Sequence, residues 1–427
     1  MKQYVLVNGK VLNGHKDMTI QENLAIYVKE GKIERIDSDE VIEDGYEVVD
    51  VQGKYILPGL INMHVHLAGN GSHSSKQRDN KKLVDMLFSN PVTKAIAYKL
   101  VSKYAKLELY GGVTTIRTVG GLRNFDTKLR KEIEEGKKIG PTILAANEGI
   151  TVEGGHMAGS VARVARNNEE AVQYVEDSYK QGVDLVKLMI TGGVMDASEK
   201  GTPGQMKMPL DMIEAICTRA HELGLLTSAH VESSEGVKAA LRYGVDSIEH
   251  GARPDQETIE LFIQKGAFLI TTLSPALPYA LFDPSVSGVD EVQLFNGKMV
   301  FDGIIECSKE ALANGIPVGL GNDVGCPWIT QYDFYRELVY FHKYVGVTNE
   351  FAIYTATLQN AILAGVQDST GSIDEGKYAD MLIVKENPLK NLNALRNIDM
   401  VIKHGKQIIP SYKRDKEIDK QLDVFCK

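Results

Sequence analysis

The sequence has few cysteines and lacks the features of membrane-spanning or nucleic-acid-binding proteins. Its four cysteines, Cys217, Cys307, Cys326 and Cys426, show no CxxC spacing, so we expect no disulfide framework and a reducing cytoplasm. No run approaches the roughly 18 to 20 apolar residues of a membrane span, and the N-terminus lacks the apolar core of a signal peptide. Lys and Arg total 48 against 57 Asp and Glu, a formal charge of −9 with no basic block. Nucleic-acid binding is therefore not expected.

Short strand-like pieces and turns occupy both ends of the chain, in residues 1–57 and 369–427. Asn8-Gly9 and Glu30-Gly31 each lie between two such pieces and predict hairpin turns. Each end is too small to fold alone. We therefore expect the two ends to pair into one small composite β-sandwich domain, followed by a charged terminal helix.

Between these ends, in residues 58–368, short apolar runs alternate with helix-like stretches that end in glycine. Eight such repeats predict an α/β fold, a closed (β/α)₈ TIM barrel. A doubly wound open sheet is the alternative. The eight candidate strands are 62–67, 113–118, 141–147, 183–190, 225–230, 246–251, 267–273 and 317–323.

Polar residues of metal-ligand type interrupt the first and fourth of these strands. His64 and His66 are two apart, so both imidazoles can face the barrel axis and share one metal ion. Lys187 lies inside an apolar strand, where an ammonium ion is costly. Either a barrel carboxylate pairs with Lys187, or its neutral amine has captured carbon dioxide as a carbamate, an anionic ligand suited to bridging two cations.

The fifth, sixth and eighth strands end in His230, His250 and Asp323. Each residue alone could be structural, because an Asp after a strand is often a helix N-cap. Functional residues of TIM barrels, however, lie at the C-terminal ends of the strands. Six ligand-type residues at five strand ends therefore predict a metal site at the mouth of the barrel.

Four motifs resemble the amidohydrolase superfamily, and the resemblance covers nearly the whole chain. The run from Leu57 to His66 resembles its first-strand signature, and Gly371 to Asp380 resembles its C-terminal β segment. Thr191-Gly192-Gly193-Val194 and Ser247-Ile248-Glu249-His250-Gly251 resemble the imidazolonepropionase-related and Xaa-Pro dipeptidase-like (prolidase-like) group.

The resemblance implies a binuclear site with two divalent metal ions, for which zinc is favoured and Mn, Co or Fe would also fit. A hydroxide between the ions would be the nucleophile, and Asp323 would carry its proton to the leaving nitrogen. The ion held in part by His250 would polarise the substrate carbonyl. The implied ligands are His64, His66 and Asp323 for the buried ion, His230 and His250 for the second, and carboxylated Lys187 as the bridge.

Two loops supply candidate substrate contacts. Gly155 and His156 follow the third strand, and related dipeptidases carry a similar Gly-Gly-His. Cys326 follows the eighth strand and could line the pocket or pack. Many of these dipeptidases have a tyrosine shortly after the strand-5 histidine, where this chain has Val231-Glu232-Ser233. The polar loop 69–80 is a candidate lid.

The expected activity is hydrolysis of an amide or peptide bond in a small substrate, first of all a dipeptide or an N-acyl amino acid. A cyclic amide or lactone, as in imidazolonepropionase, is the first alternative. A mononuclear deaminase would not need Lys187 as a ligand, and a non-catalytic scaffold would typically have lost ligands. The resemblance also favours a homo-oligomer.

Overall fold

A computed structural model describes residues 3–73 and 79–427 of the 427-residue chain. Part of the candidate lid, residues 74–78, lies outside the described residues. The chain divides into two compact units. One comprises Met1–Asn62 as far as it is described, Lys106–Thr115 and Tyr332–Lys427, and the other comprises Met63–Ala105 and Ile116–Gln331. The domain boundaries expected at residues 57 and 368 stay predictions.

Strands occur at both ends of the chain and, separated by helices, in its middle. The N-terminal strands are β1 (Tyr4–Val7), β2 (Lys10–Val11), β3 (Leu24–Lys29), β4 (Lys32–Ser38), β5 (Glu47–Asp50) and β6 (Tyr55–Pro58). The middle strands are β7 (Leu60–Val65), β8 (Val113–Thr118), β9 (Thr142–Ala145), β10 (Gly149–Thr151), β11 (Ala162–Val164), β12 (Leu185–Met189), β13 (Leu226–Val231), β14 (Ser247–His250), β15 (Phe268–Thr271) and β16 (Val318–Leu320). The C-terminal strands are β17 (Met381–Val384), β18 (Ile398–Lys403) and β19 (Lys406–Ile408).

The helices follow the same chain order. They are α1 (Asn80–Phe88), α2 (Pro91–Tyr110), α3 (Phe125–Glu134), α4 (Asn168–Lys180), α5 (Leu210–Glu222), α6 (Ser234–Arg242), α7 (Gln256–Lys265), α8 (Leu273–Leu281), α9 (Pro284–Ser287), α10 (Glu291–Ala313), α11 (Phe334–Tyr340), α12 (Asn349–Tyr354), α13 (Asn360–Leu363) and α14 (Lys416–Leu422). Single 3₁₀ turns lie at Val194–Asp196, Leu392–Arg396 and Asp423–Cys426, and wider π turns lie at Phe341–Val345 and Thr355–Gln359. Within the described residues, no helix is long and apolar enough to span a membrane.

The two ends of the chain form one composite β-sandwich, as predicted. One sheet has the order β4-β3-β1-β5, and the other, β19-β18-β17-β6-β2, combines strands from both ends. Apolar side chains of both sheets, among them Leu6, Ile26, Ile56, Met381 and Ile402, form a common buried core. Neither end could bury these side chains by itself, because the core takes residues from both.

One predicted hairpin is confirmed and the other is wrong. Strands β3 and β4 pair antiparallel around Glu30 and Gly31, which both have positive φ, as a tight two-residue turn requires. At Asn8-Gly9, by contrast, β1 pairs with β3 and β5, whereas β2 pairs with β6 in the other sheet. Close packing explains the glycine, because a Cβ on Gly9 would lie 2.5 Å from Ile56 Cδ1.

The middle of the chain forms the predicted (β/α)₈ barrel. All eight candidate runs contain a strand: β7, β8, β9 and β12 to β16. Strands β12 to β16 are parallel neighbours in sequence order, and β7, β8 and β9 form a second row. The two rows are linked at one side by the hydrogen bond from Asp184 N to Ala145 O and at the other by that from Asp323 N to His64 O. The C-terminal strand ends therefore face one mouth.

Candidate metal centre

His64 on strand β7 and His66, directly after the end of this strand, each have a fixed ring orientation. His64 Nδ1 lies 2.7 Å from Glu249 Oε2, and His66 Nδ1 lies 2.8 Å from the carbonyl oxygen of Gly120. Both partners only accept hydrogen bonds, so Nδ1 carries the proton in each ring. Burial lowers the pKa of His64 to about 4, against the opposing effect of Asp323. A neutral ring with this tautomer presents Nε2 as a ligand atom.

Strands β13 and β14 supply the other two histidines, which are also tethered through one nitrogen. His230 Nε2 faces the carbonyl oxygen of Gly192 at 3.3 Å, and His250 Nδ1 lies 2.6 Å from Thr272 Oγ1. Burial lowers the pKa of both rings well below the ordinary value. Each neutral ring can therefore offer its second nitrogen to an ion.

Asp323 joins the histidines at the end of the eighth barrel strand. Its Oδ1 atom lies 3.2 Å from His66 Nε2 and 3.5 Å from His64 Nε2, and it makes no hydrogen bond within the described residues. Burial raises the pKa of Asp323, but the neighbouring His64 and His66 hold it well below the usual range. Ligand atoms of His64, His250 and Asp323 lie within 4.8 Å of one another, close enough for one ion.

The backbone turns into an unusual conformation at two of these residues. His250 has a φ of 68° and Asp323 a φ of 53°, both in the left-handed region. Glu249 and His250 are consecutive on β14 and would point to opposite faces of a regular strand. The left-handed turn at His250 lets both contribute to the site, and such backbone strain costs on the order of 1–3 kcal/mol per residue.

Lys187 lies on β12 with 1% of its surface exposed, and its Nζ atom has no hydrogen-bond partner within the described residues. Burial lowers its pKa to about 8, against the opposing effect of the Glu249 carboxylate. An unpaired buried amine of this kind is costly unless another group compensates it. The sequence left open whether a barrel carboxylate pairs with Lys187. Within the described residues, no carboxylate forms a hydrogen bond with its Nζ atom.

A buried ion pair below the histidines was not predicted from the sequence. Arg117 Nη2 lies 2.6 Å from Glu249 Oε1, which also accepts hydrogen bonds from Ser228 (2.7 Å) and Ser247 (2.6 Å). Although burial raises the pKa of Glu249, Arg117 and the bond to His64 hold it well below the usual range. The only sequence signal was a carboxylate inside a buried strand, directly before His250.

His156 reaches the site from the loop after β10 and stacks on His230, with ring centroids 4.0 Å apart and planes 6° apart. Asp196, which sequence reasoning missed, fixes this ring, because its Oδ2 atom lies 2.6 Å from His156 Nδ1. The same oxygen accepts a hydrogen bond from Gly193 N at 2.9 Å. Asp196 thus engages Nδ1 of His156 and sets the orientation of the ring.

The remaining candidates differ in their surroundings. Gly155 lies in the turn before His156, where its N–H donates to Val152 O. Burial, together with the adjacent Asp323 carboxylate, raises the pKa of the Cys326 thiol well above its usual value. Burial raises the pKa of Tyr279 on α8, which the sequence did not single out, and Cys326 and Asp323 act in the same direction.

These residues fit divalent metal ions. Four tethered imidazoles come together with a carboxylate oxygen and a buried amine that, within the described residues, have no hydrogen-bond partner. Imidazole and carboxylate ligands suit Zn²⁺ and related ions, and tethered second nitrogens are the usual support of metal-binding histidines.

The fold and this donor set define a TIM-barrel protein with a candidate metal site at its mouth. The sequence model of the amidohydrolase family matches residues 55–408, and the chain belongs to this family of hydrolases. A candidate prolidase from Bifidobacterium longum is 34% identical and superimposes with a TM-score of 0.86 over 99% of each chain.

A solved Xaa-Pro dipeptidase with bound methionine in its active site is 26% identical, with a TM-score of 0.82 over 96% of this chain and 100% of that one. The imidazolonepropionase of Brevibacillus brevis is 24% identical over 424 residues, which cover 92% of each chain. The resemblance to this group of amidohydrolases is therefore confirmed.

Proposed function

We propose that this protein is a binuclear metal-dependent amidohydrolase that cleaves an amide or peptide bond of a small substrate, either a dipeptide or an N-acyl amino acid. The observation that carries the proposal is the tethering of four histidine rings around Asp323 and Lys187. These hydrogen bonds orient the four rings before any ion binds.

The proposed ligands are those that the family resemblance implies. When bound, the two ions would polarise the substrate carbonyl and lower the pKa of a water molecule. Lys187 would join them as a carbamate, which removes the unpaired amine and provides two oxygen atoms. Zinc is our first choice of metal for this mixture of nitrogen and oxygen ligands. His64, His66 and Asp323 would bind the buried ion, His230 and His250 would bind the second ion, and Lys187 would bind both.

Asp323 is the proposed proton carrier. Its Oδ1 atom is buried and makes no hydrogen bond within the described residues, so it can receive a proton from the attacking water and deliver it to the leaving nitrogen. His156, held by Asp196, would bind the substrate through Nε2.

Two relatives support the choice of substrate. The solved Xaa-Pro dipeptidase and the candidate prolidase are named for peptide substrates, and both cover almost the whole chain. The imidazolonepropionase of B. brevis supports a cyclic amide as the second candidate.

A substrate screen tests the proposal. The zinc-loaded protein is incubated with dipeptides, N-acyl amino acids and cyclic amides, and released amines or ring-opened products are quantified. We expect turnover of dipeptides or N-acyl amino acids that disappears in Asp323→Asn. Turnover confined to cyclic amides would favour the second candidate, whereas activity that persists in Asp323→Asn would contradict the proposed role of this carboxylate.

A further inference from the structure

A carboxylate outside the expected ligand set lies beside the second pair of histidines. Ligand atoms of His230, Glu232 and His250 lie within 4.8 Å of one another, which makes them one of the groups in the described residues that could hold a metal ion. Neither the motifs nor the family resemblance assigned Glu232 a role. It lies in the stretch after the strand-5 histidine in which many related dipeptidases carry a tyrosine.

One carboxylate oxygen of Glu232 has no compensating partner within the described residues. Its Oε2 atom is shielded from solvent and has no hydrogen-bond partner within residues 3–73 and 79–427. The charged groups that influence it electrostatically are two further carboxylates, Asp196 and Asp323. An ionised carboxylate in such a place is stable only beside a cation or a strong donor.

The loop after β12 fixes Glu232 and His230 together. The N–H of Glu232 donates to Thr191 Oγ1 at 3.1 Å, and this hydroxyl donates to the carbonyl oxygen of Gly192 at 2.8 Å. The same carbonyl accepts from His230 Nε2. One short loop therefore holds the backbone of Glu232 and the ring of His230, and supporting hydrogen bonds of this kind are usual around metal sites.

We propose that Glu232 is a protein ligand of the metal ion held by His230 and His250. Two imidazoles and one carboxylate form a recurrent set of catalytic zinc ligands that leaves a position open for water or substrate. With Glu232, the second ion has three ligands of its own besides bridging Lys187. The inference rests on the proposed function only in that this function supplies the ions.

Metal affinity measured without substrate tests this ligand. Wild type, Glu232→Gln and the control Asp196→Asn are stripped of metal and titrated with Zn²⁺ against a competing chelator. Glu232→Gln keeps the size of the side chain and removes its charge. Asp196→Asn removes a neighbouring charge that belongs to no proposed ligand set. Thermal unfolding of the metal-free proteins checks that all three are folded.

We expect one ion to bind at least about tenfold more weakly in Glu232→Gln, while both affinities in Asp196→Asn stay near wild type. The visible spectrum of the Co²⁺-loaded protein should change only in Glu232→Gln. Unchanged metal affinities and an unchanged spectrum in Glu232→Gln would overturn the inference. If that variant nevertheless lost activity, Glu232 would act on the substrate and not on the metal ion. If the wild-type protein bound only one ion, the binuclear proposal would be contradicted. The role of Glu232 would still be tested, because Glu232→Gln would bind that single ion more weakly if Glu232 is a ligand and equally well if it is not.

Discussion

His64 Nδ1 donates a hydrogen bond to Glu249 Oε2 at 2.7 Å, and through this bond a proposed metal ligand is tied to the buried ion pair of Glu249 with Arg117. The side chain of His64 is 1% exposed and that of Glu249 is fully buried. Within this bond, the carboxylate sets both the tautomer and the rotation of the imidazole. Glu249 is thus a positioning residue in the proposed site.

Replacement of Glu249 by Gln should weaken metal binding by about 10- to 100-fold, the usual cost of losing such an outer partner. The change also leaves Arg117 without its charged partner, so the protein should unfold at a lower temperature. Metal affinity and thermal unfolding measure the two effects. Ser228→Ala removes one hydrogen bond to Glu249 but keeps the bond to His64, and it should retain most of the affinity. Equal losses in both variants would contradict the positioning role.

Lys187→Ala should bind metal weakly and turn over substrate very slowly, because the bridging carbamate cannot form. Small carboxylates such as acetate or propionate should partly restore activity by supplying the missing oxygen ligands. Turnover with and without added carboxylate measures the effect. Lys180→Ala, an exposed change on α4, is the matched control and should behave as wild type. Unchanged hydrolysis in Lys187→Ala would count decisively against the proposed ligand set.

Asp196→Asn should raise KM far more than it lowers kcat, because Asp196 fixes the ring of His156 without belonging to the proposed ligand set. The loss of a charged hydrogen bond corresponds to about 1.5–3 kcal/mol, or roughly 10- to 100-fold in kcat/KM. Steady-state kinetics of Asp196→Asn and His156→Gln should give similar patterns. A defect confined to kcat would show that Asp196 acts elsewhere.

Asp380 should stabilise the β-sandwich. Its carboxylate accepts hydrogen bonds from Lys403 Nζ and from the N–H of His404, both at 2.7 Å, and its side chain and that of Lys403 are almost fully buried. Asp380→Asn removes the charge of the carboxylate that faces the buried ammonium of Lys403 and should cost about 3–5 kcal/mol. Chemical denaturation measures this loss. Asp368→Asn, an exposed change nearby, should have little effect, and equal stability of the two variants would contradict this role.

The sequence predicted the parts of the fold that depend on local pattern. The eight barrel strands followed from apolar runs separated by helix-like stretches, and His64, His66, Lys187, His230, His250 and Asp323 stood out as polar residues at strand ends. The exception was Asn8-Gly9, where the glycine serves close packing against Ile56 and not a turn. A dipeptide motif does not reveal which distant strand its neighbours join.

The rest of the site depends on contacts between distant parts of the chain. Arg117 and Glu249 are 132 residues apart, and Asp196 reaches His156 across 40 residues. No spacing in the sequence indicates such pairs. The left-handed backbone at His250 likewise requires the tertiary structure. A homo-oligomeric state and a cytoplasmic location stay predictions.

The central claim, amide hydrolysis at a two-metal site, is tested most directly by titrating the metal-free protein with Zn²⁺ in bicarbonate buffer while hydrolysis of its best dipeptide or N-acyl amino acid substrate is followed. We predict activity that rises until about two equivalents per chain are bound and then stays constant. Full activity at one equivalent, or activity that does not depend on metal, would contradict the binuclear account.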